Sequence, residues 1–306
     1  MTRGTIQGIT RAPILQQLAS LFQDPPPEFV FEIGPSSVAV ARAAAGAQAL
    51  LEELPPSALS PSPVRDNVLE PAALEQAIKK LVNSLGGGRR QRRAALILPD
   101  HSARVSVLDF DRFPEKAADQ LPLLQFRLKK TLPYDIDEAA ISYFTQPVTK
   151  AGKREVVAVA TPLEVIQRYE APFRAANIHA GIVTVSHIAM LDLIAPTGVV
   201  IVAKLSGGIL TVMAIDHGTL RLVRSLELTE ITLDEIAADL YPTFAYSEDS
   251  FGSRPETLLL CGFGDLAADA GRRFEEELSS KVELLPFRNA GLAGYLHSRR
   301  IKGVAA

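Results

Sequence analysis

The sequence predicts an α/β fold of two lobes that face one cleft, with a small inserted α+β subdomain and a reduced second lobe. Three observations lead there. Apolar strands open into small-residue turns at three widely spaced places. These are Phe29 to Ile33 before Gly34-Pro35-Ser36-Ser37, Val199 to Leu205 before Ser206-Gly207-Gly208, and Thr257 to Cys261 before Gly262-Phe263-Gly264. Strand and helix patterns alternate in both halves of the chain, which indicates α/β layers twice over. Residues 99–160 change to strand, helix, strand, strand, the pattern of a compact α+β unit. Small residues at the end of an apolar strand let backbone N–H groups approach phosphate oxygens closely. The three turns therefore read as two phosphate loops and an adenosine loop around one cleft.

Composition narrows the class. A chain of 306 residues suits two domains of ordinary size with a substantial core. Its 47% hydrophobic and 22% charged content is that of a globular protein. The net charge of -3 gives no bulk reason to expect nucleic acid as a partner. One cysteine, Cys261, makes neither an internal disulfide nor a metal site by itself, so a reducing compartment is expected. No apolar run reaches the roughly 20 residues of a membrane span, and the N-terminus lacks the apolar core of a signal peptide. The expected location is the cytoplasm, with membrane contact indirect, through partners or a surface helix.

The elements follow in order. Residues 1–28 form an extension in which Ile14, Leu15, Leu18, Leu21 and Phe22 share one helical face before Pro25-Pro26-Pro27. It reads either as a helix packed on its own domain or as a docking or membrane-surface helix. The first lobe, 29–98, holds the hairpin Phe29 to Arg42, an amphipathic helix Pro71 to Leu85 with Leu74, Ile78, Leu81 and Leu85 on one face, and the strand Ala94 to Leu98. Arg89-Arg90-Gln91-Arg92-Arg93 is a solvated connector or a contact for an anionic surface. The inserted subdomain, 99–160, carries a strand Ala103 to Phe110, a helix Glu115 to Thr131, and strands Ala139 to Pro147 and Arg154 to Ala160. Its loop carboxylates Asp135, Asp137 and Glu138 read as solvated, since no further ligand stands at metal spacing.

The chain returns to the first lobe over 161–197 with a helix Pro162 to Asn177, a strand Ile178 to Val185 and a helix His187 to Ile194 capped by Ser186. An exposed start to that helix would leave His187 without a special role. The second lobe, 198–306, has the hairpin Val199 to Asp216, a strand Leu220 to Leu228, a helix Thr232 to Tyr246, and a loop Ser247 to Pro255. The strand Thr257 to Cys261, a helix Gly271 to Ser279, a strand Val282 to Leu285 and a closing helix Leu292 to Arg300 complete it.

With these elements placed, the chain resembles a known family. Arg112-Phe113-Pro114-Glu115-Lys116, Gln125-Phe126-Arg127 and Thr131-Leu132-Pro133-Tyr134 look like the helix region of the inserted subdomain of PilM, the actin-like cytoplasmic protein of type IV pilus assembly. The similarity continues through Ala160-Thr161-Pro162-Leu163-Glu164-Val165, Ala175-Ala176-Asn177-Ile178 and Val183-Thr184-Val185-Ser186, and spans roughly residues 29 to 298. PilM is similar in turn to the cell-division protein FtsA. The resemblance implies an actin-like (ribonuclease H-like) fold, with residues 99–160 as the family's inserted subdomain.

It also implies a degenerate nucleotide cleft at Glu32, Gly34, Ser36, Ser37, Lys204, Gly207, Gly208, Gly262 and Gly264. In the family an aspartate ends the first strand and helps position Mg²⁺, and a lysine follows the serines. Here Glu32 and Ala39 take those places. The extra methylene of glutamate moves the carboxylate by more than about 1 Å, outside catalytic tolerance. The second loop normally begins with aspartate and has a glycine two residues later, where this chain has Lys204 and Ser206. Lys204 offers a cation to phosphate but no carboxylate to Mg²⁺. Leu228 also passes almost directly into Thr232, leaving no room for the helical subdomain that closes over the base in the family.

These departures imply a pseudo-ATPase without catalytic residues and with no required cofactor, although some affinity for ATP and Mg²⁺ could survive. The family's partner is the cytoplasmic N-terminal peptide of the inner-membrane protein PilN, held between the first lobe and the inserted subdomain. The expected role is a scaffold, peripheral at the inner membrane, in a pilus or secretion platform. The residues expected to meet a PilN-like peptide are Leu132, Pro133, Tyr134, Ile141 and Phe144. The alternatives are an actin-like ATPase or kinase that still hydrolyses ATP, and an FtsA-like filament former.

Overall fold

The strand β1 (Phe29–Ile33) is buried at all of its five positions, which requires cover on both faces. Alternation divides the cover. Phe31 meets Phe173 edge to face, with ring centroids 5.0 Å apart, while Glu32 points the other way and meets the backbone of Leu292. This computed structural model describes residues 27–43, 48–86, 92–149, 152–195 and 197–303. The amphipathic segment expected at 14–22 and the arginines Arg89 and Arg90 lie outside the described residues.

Two five-stranded sheets share one topology. In the first, β1 pairs antiparallel with β2 (Ser37–Arg42), which pairs antiparallel with β3 (Leu50–Glu53). On its other side β1 runs parallel to β4 (Arg92–Leu98), which runs parallel to β8 (Ile178–Val185). The second sheet repeats this order. There β9 (Val199–Ser206) pairs antiparallel with β10 (Ile209–Asp216), and β10 pairs antiparallel with β11 (Thr219–Glu227). The strands β12 (Thr257–Cys261) and β13 (Lys281–Leu285) then add in parallel.

A third sheet, in the order β5-β7-β6, forms the small subdomain from β5 (Arg104–Phe110), β6 (Ala139–Val148) and β7 (Arg154–Pro162). The helices are α1 (Pro71–Ser84), α2 (Ala117–Leu128), α3 (Leu163–Ala175), the short α4 (Ser186–Ala189), α5 (Leu233–Phe251), α6 (Ala267–Leu278) and α7 (Ala290–Gly303).

Alternation along β9 ties the halves together. Ile201, Ala203 and Leu205 face α5 and α6 in a core that belongs to the second sheet. Val200 and Val202 face the opposite way and join Met213, Ile215, Leu259 and Cys261 in one apolar core with the first sheet. The subdomain is split likewise. Phe110, Val156 and Leu124 form one cluster and Ala158, Leu128 and Ile136 another, both under α2, whereas Val157, Val159 and Phe144 enter the large shared core.

Several elements depart from the sequence reading. β3 is short and ends in Glu52 and Glu53, so it carries little strand signal. α5 continues through the polar Ser247–Ser250 stretch, read above as loop, and stops at Phe251, where Gly252 takes a left-handed φ of 69°. Ser186 does not cap the helix that follows, because its hydroxyl is turned to Glu32. His187 is buried at 1% exposure rather than sitting at an exposed helix start. α7, placed above in the second lobe, packs on the first: Ala290, Leu292 and Tyr295 belong to its core. Its close approach needs glycine. A side chain at Gly294 would overlap the Ala189 carbonyl, and one at Gly291 would press on Ser186 and Ile97.

Candidate functional site

The three small-residue turns converge. Glu32, Gly34, Ser36 and Ser37 from the first sheet line a cavity of about 560 Å³ with Lys204, Gly207, Gly262 and Gly264 from the second. That volume is in the range of small-molecule sites. Gly208 is the one predicted cleft residue that does not line it; its carbonyl accepts the N–H of Leu228 on the far side of the hairpin. A Cβ at Gly207 would sit 3.3 Å from the side chain of Pro35, so the two turns are in near contact across the cleft. Gly262 has φ +76°, and a side chain there would overlap the carbonyl oxygen of Leu205. The far wall is Leu284 to Asn289, unforeseen in the sequence, with Leu284 54% exposed at the mouth.

Glu32 and Lys204, which line the cavity, belong to a buried ionic network that extends behind it. Glu32 Oε1 accepts from the Ser186 hydroxyl at 2.5 Å and from the Gly291 N–H at 3.3 Å, and Oε2 accepts from the Leu292 N–H at 2.8 Å. The last two are orphan donors of the first turn of α7, so Glu32 anchors that helix by its N-terminus. Asp100, on a 3-10 turn directly after β4, accepts from the His187 backbone N–H at 2.8 Å and from Lys204 Nζ at 2.6 Å. His187 Nδ1 lies 3.2 Å from the same carboxylate. Each of these four carboxylate oxygens therefore faces a protein donor.

Burial and charge compete at every member. Burial pushes the Glu32 carboxyl up, and this outweighs the opposing pull of the Lys204 charge and the Ser186 and Leu292 donors. Burial would raise Asp100 as well, but Lys204 and His187 bring it well below the usual carboxylate range. Burial would lower Lys204, yet Asp100 and Glu32 together lift it above its ordinary value. Burial pushes the neighbouring Cys261 thiol up to about 11. Asp100 was not legible as a site residue: it lies 104 positions from Lys204 and belongs to no motif.

The five residues expected at a peptide groove are not one surface. Leu132 and Ile141 are half-buried against Leu128, Ile136 and Ala158 in the subdomain's own core. Phe144 is 2% exposed and packs in the shared core, so it offers no surface to a partner. Pro133 is exposed. Tyr134 is half-buried and donates to the Ala160 carbonyl at 2.8 Å, and burial pushes its phenol up to about 12. Leu163, just beyond that carbonyl at the start of α3, is 43% exposed and was not foreseen. Asp135 caps a short turn through the Asp137 N–H.

No protein-family model matches the sequence, and no curated protein matches it either. Solved structures do. The chain superposes on a structure of the PilM-PilN type IV pilus biogenesis complex with TM-score 0.73 and 16% identity, over 92% of this chain and 99% of that one. The fold is that of PilM. A Bacteroides thetaiotaomicron protein with an actin-like ATPase fold and unknown function matches at TM-score 0.55 and 12% identity, over 88% of this chain and 94% of that one. The cytoplasmic domain of EpsL, an inner-membrane component of the type II secretion system of Vibrio cholerae, matches at TM-score 0.51 and 9% identity, over 90% and 94%. The likeness to PilM establishes an actin-like architecture, and at this identity it is a likeness of fold.

Proposed function

We propose that this protein is a non-catalytic, actin-like scaffold of a type IV pilus or related secretion platform. In this reading it sits at the cytoplasmic face of the inner membrane and docks the N-terminal peptide of a PilN-like membrane protein. The observation that carries the non-catalytic half is the buried ionic network at the cleft. Phosphoryl transfer in such a cleft needs carboxylates whose oxygens are open to Mg²⁺ and its waters. Glu32 and Asp100 instead face Ser186, His187, Lys204 and the start of α7. That donor set does not fit a divalent cation. The scaffold half is supported by the match to a PilM structure solved with PilN and by the weaker match to EpsL.

The docking surface is then narrower than the sequence suggested. Tyr134 donates to the Ala160 carbonyl, Pro133 beside it is exposed, the exposed Leu163 follows three residues after Ala160, and β6 is an edge strand of its sheet among the described residues. A synthetic peptide carrying the cytoplasmic N-terminal segment of a PilN-type protein is expected to bind the wild type in calorimetry. Leu163→Asp should weaken it at least tenfold without moving the unfolding midpoint. Mg-ATP at millimolar concentration should give neither heat nor turnover. Failure of the wild type to bind the peptide overturns the docking assignment, and steady ATP turnover would return the protein to the actin-like ATPases.

A further inference from the structure

We infer that Lys204 is an internal cross-link between the lobes, and that it holds the cleft closed without any nucleotide. Asp100 belongs to the first sheet, on the turn after β4; Lys204 belongs to β9 at the centre of the second. Their 2.6 Å contact joins the two lobes at the bottom of the cleft, with the two side chains 1% and 8% exposed. A ligand bridging the lobes would have to lie between the Gly34 turn and the Gly207 turn, and the protein has placed its own ion pair beneath that point. Separating a buried pair leaves each charge desolvated and uncompensated, which costs far more than the pair contributes when intact. The pair therefore resists opening more strongly than its contribution to folding would indicate.

Two further contacts tie the second lobe to the inserted subdomain. Gln146 of the subdomain donates to the Leu220 carbonyl at 2.7 Å and accepts the Leu220 N–H at 2.8 Å, both buried. Arg221 on β11 meets Glu155 on β7 at 2.7 Å. Between the two lobes themselves, Pro35 and Gly207 nearly touch. Opening the cleft would also uncover Val200, Val202 and Met213, which sit in the core shared with the first sheet. Closure without nucleotide rests on the non-catalytic reading above, whereas the Lys204–Asp100 link is independent of it and of the partner and is tested by the variants alone.

Hydrogen exchange on the full chain tests it. In the wild type, protection of the turns at 34–37 and 205–208 should be the same with and without millimolar Mg-ATP. Lys204→Met should speed exchange in both turns at least tenfold while α2 and α6 keep their protection. Adding Asp100→Asn removes the stranded charge and keeps an acceptor for the His187 N–H, so the double variant should regain most of the lost protection. If Lys204→Met fails to fold, the folded double variant carries the same comparison against Asp100→Asn alone, which should be the less protected of the two. Unchanged exchange in Lys204→Met, no recovery in the double variant, or wild-type turns that become protected on adding Mg-ATP would each overturn the inference.

Discussion

Glu32 is a carboxylate in an otherwise apolar strand, held there by three protein donors. Placing leucine at a buried strand position normally adds favourable apolar burial. Here Glu32→Leu should destabilise by about 1–3 kcal/mol, because the Ser186 hydroxyl and the Gly291 and Leu292 N–H groups lose their acceptor. A fall in the urea midpoint with unchanged slope would register it; a rise would mean that the carboxylate does not anchor α7. Glu32 and Lys204 were legible in the sequence as departures from a nucleotide loop. What they do instead was not, because their partners Asp100, Ser186 and Leu292 come from turns and helix ends that no spacing rule connects to them.

Among the elements, the three strand-turn units and most helices could be read from periodicity, since apolar runs bounded by Gly, Pro and Ser carry their own signal. The readings that failed involve tertiary choice. α7 was visible as a helix, but only Gly291 and Gly294 reveal that it lies against α4 and the turn after it, and small residues in a helix have many explanations. Gly294→Leu should drive a side chain into the Ala189 carbonyl and Met190. The expected cost is about 1–3 kcal/mol or more, seen as a lowered thermal midpoint. An unaltered midpoint would require that α7 can shift away from Ala189 at no cost. Phe144 failed for a related reason: alternation marks two faces on β6, and sequence does not say that both are covered.

At the scale of the molecule, two sheets of one topology share an apolar core, and the last helix of the second half completes the first. The duplicated pattern was legible; its interlocking was not, because contacts between lobes leave no periodic trace. One outcome is specific to this arrangement. Removing the residues after 289 deletes nothing from either central sheet, yet it should abolish cooperative unfolding of the first lobe as well as the second, as judged by near-ultraviolet circular dichroism and urea titration. A truncated chain that kept a cooperative transition would show that α7 is an accessory.

The bond from Leu292 to Glu32 also has a meaning for biosynthesis. Its two ends lie 260 positions apart. A ribosome adding roughly 5–20 residues per second leaves tens of seconds between the emergence of the first strand and that of its last partner. Until α7 is made, Glu32 has the Ser186 hydroxyl at most, and lacks the Gly291 and Leu292 N–H groups that complete its set of donors. Vectorial synthesis therefore leaves the first lobe incomplete until α7 has been made.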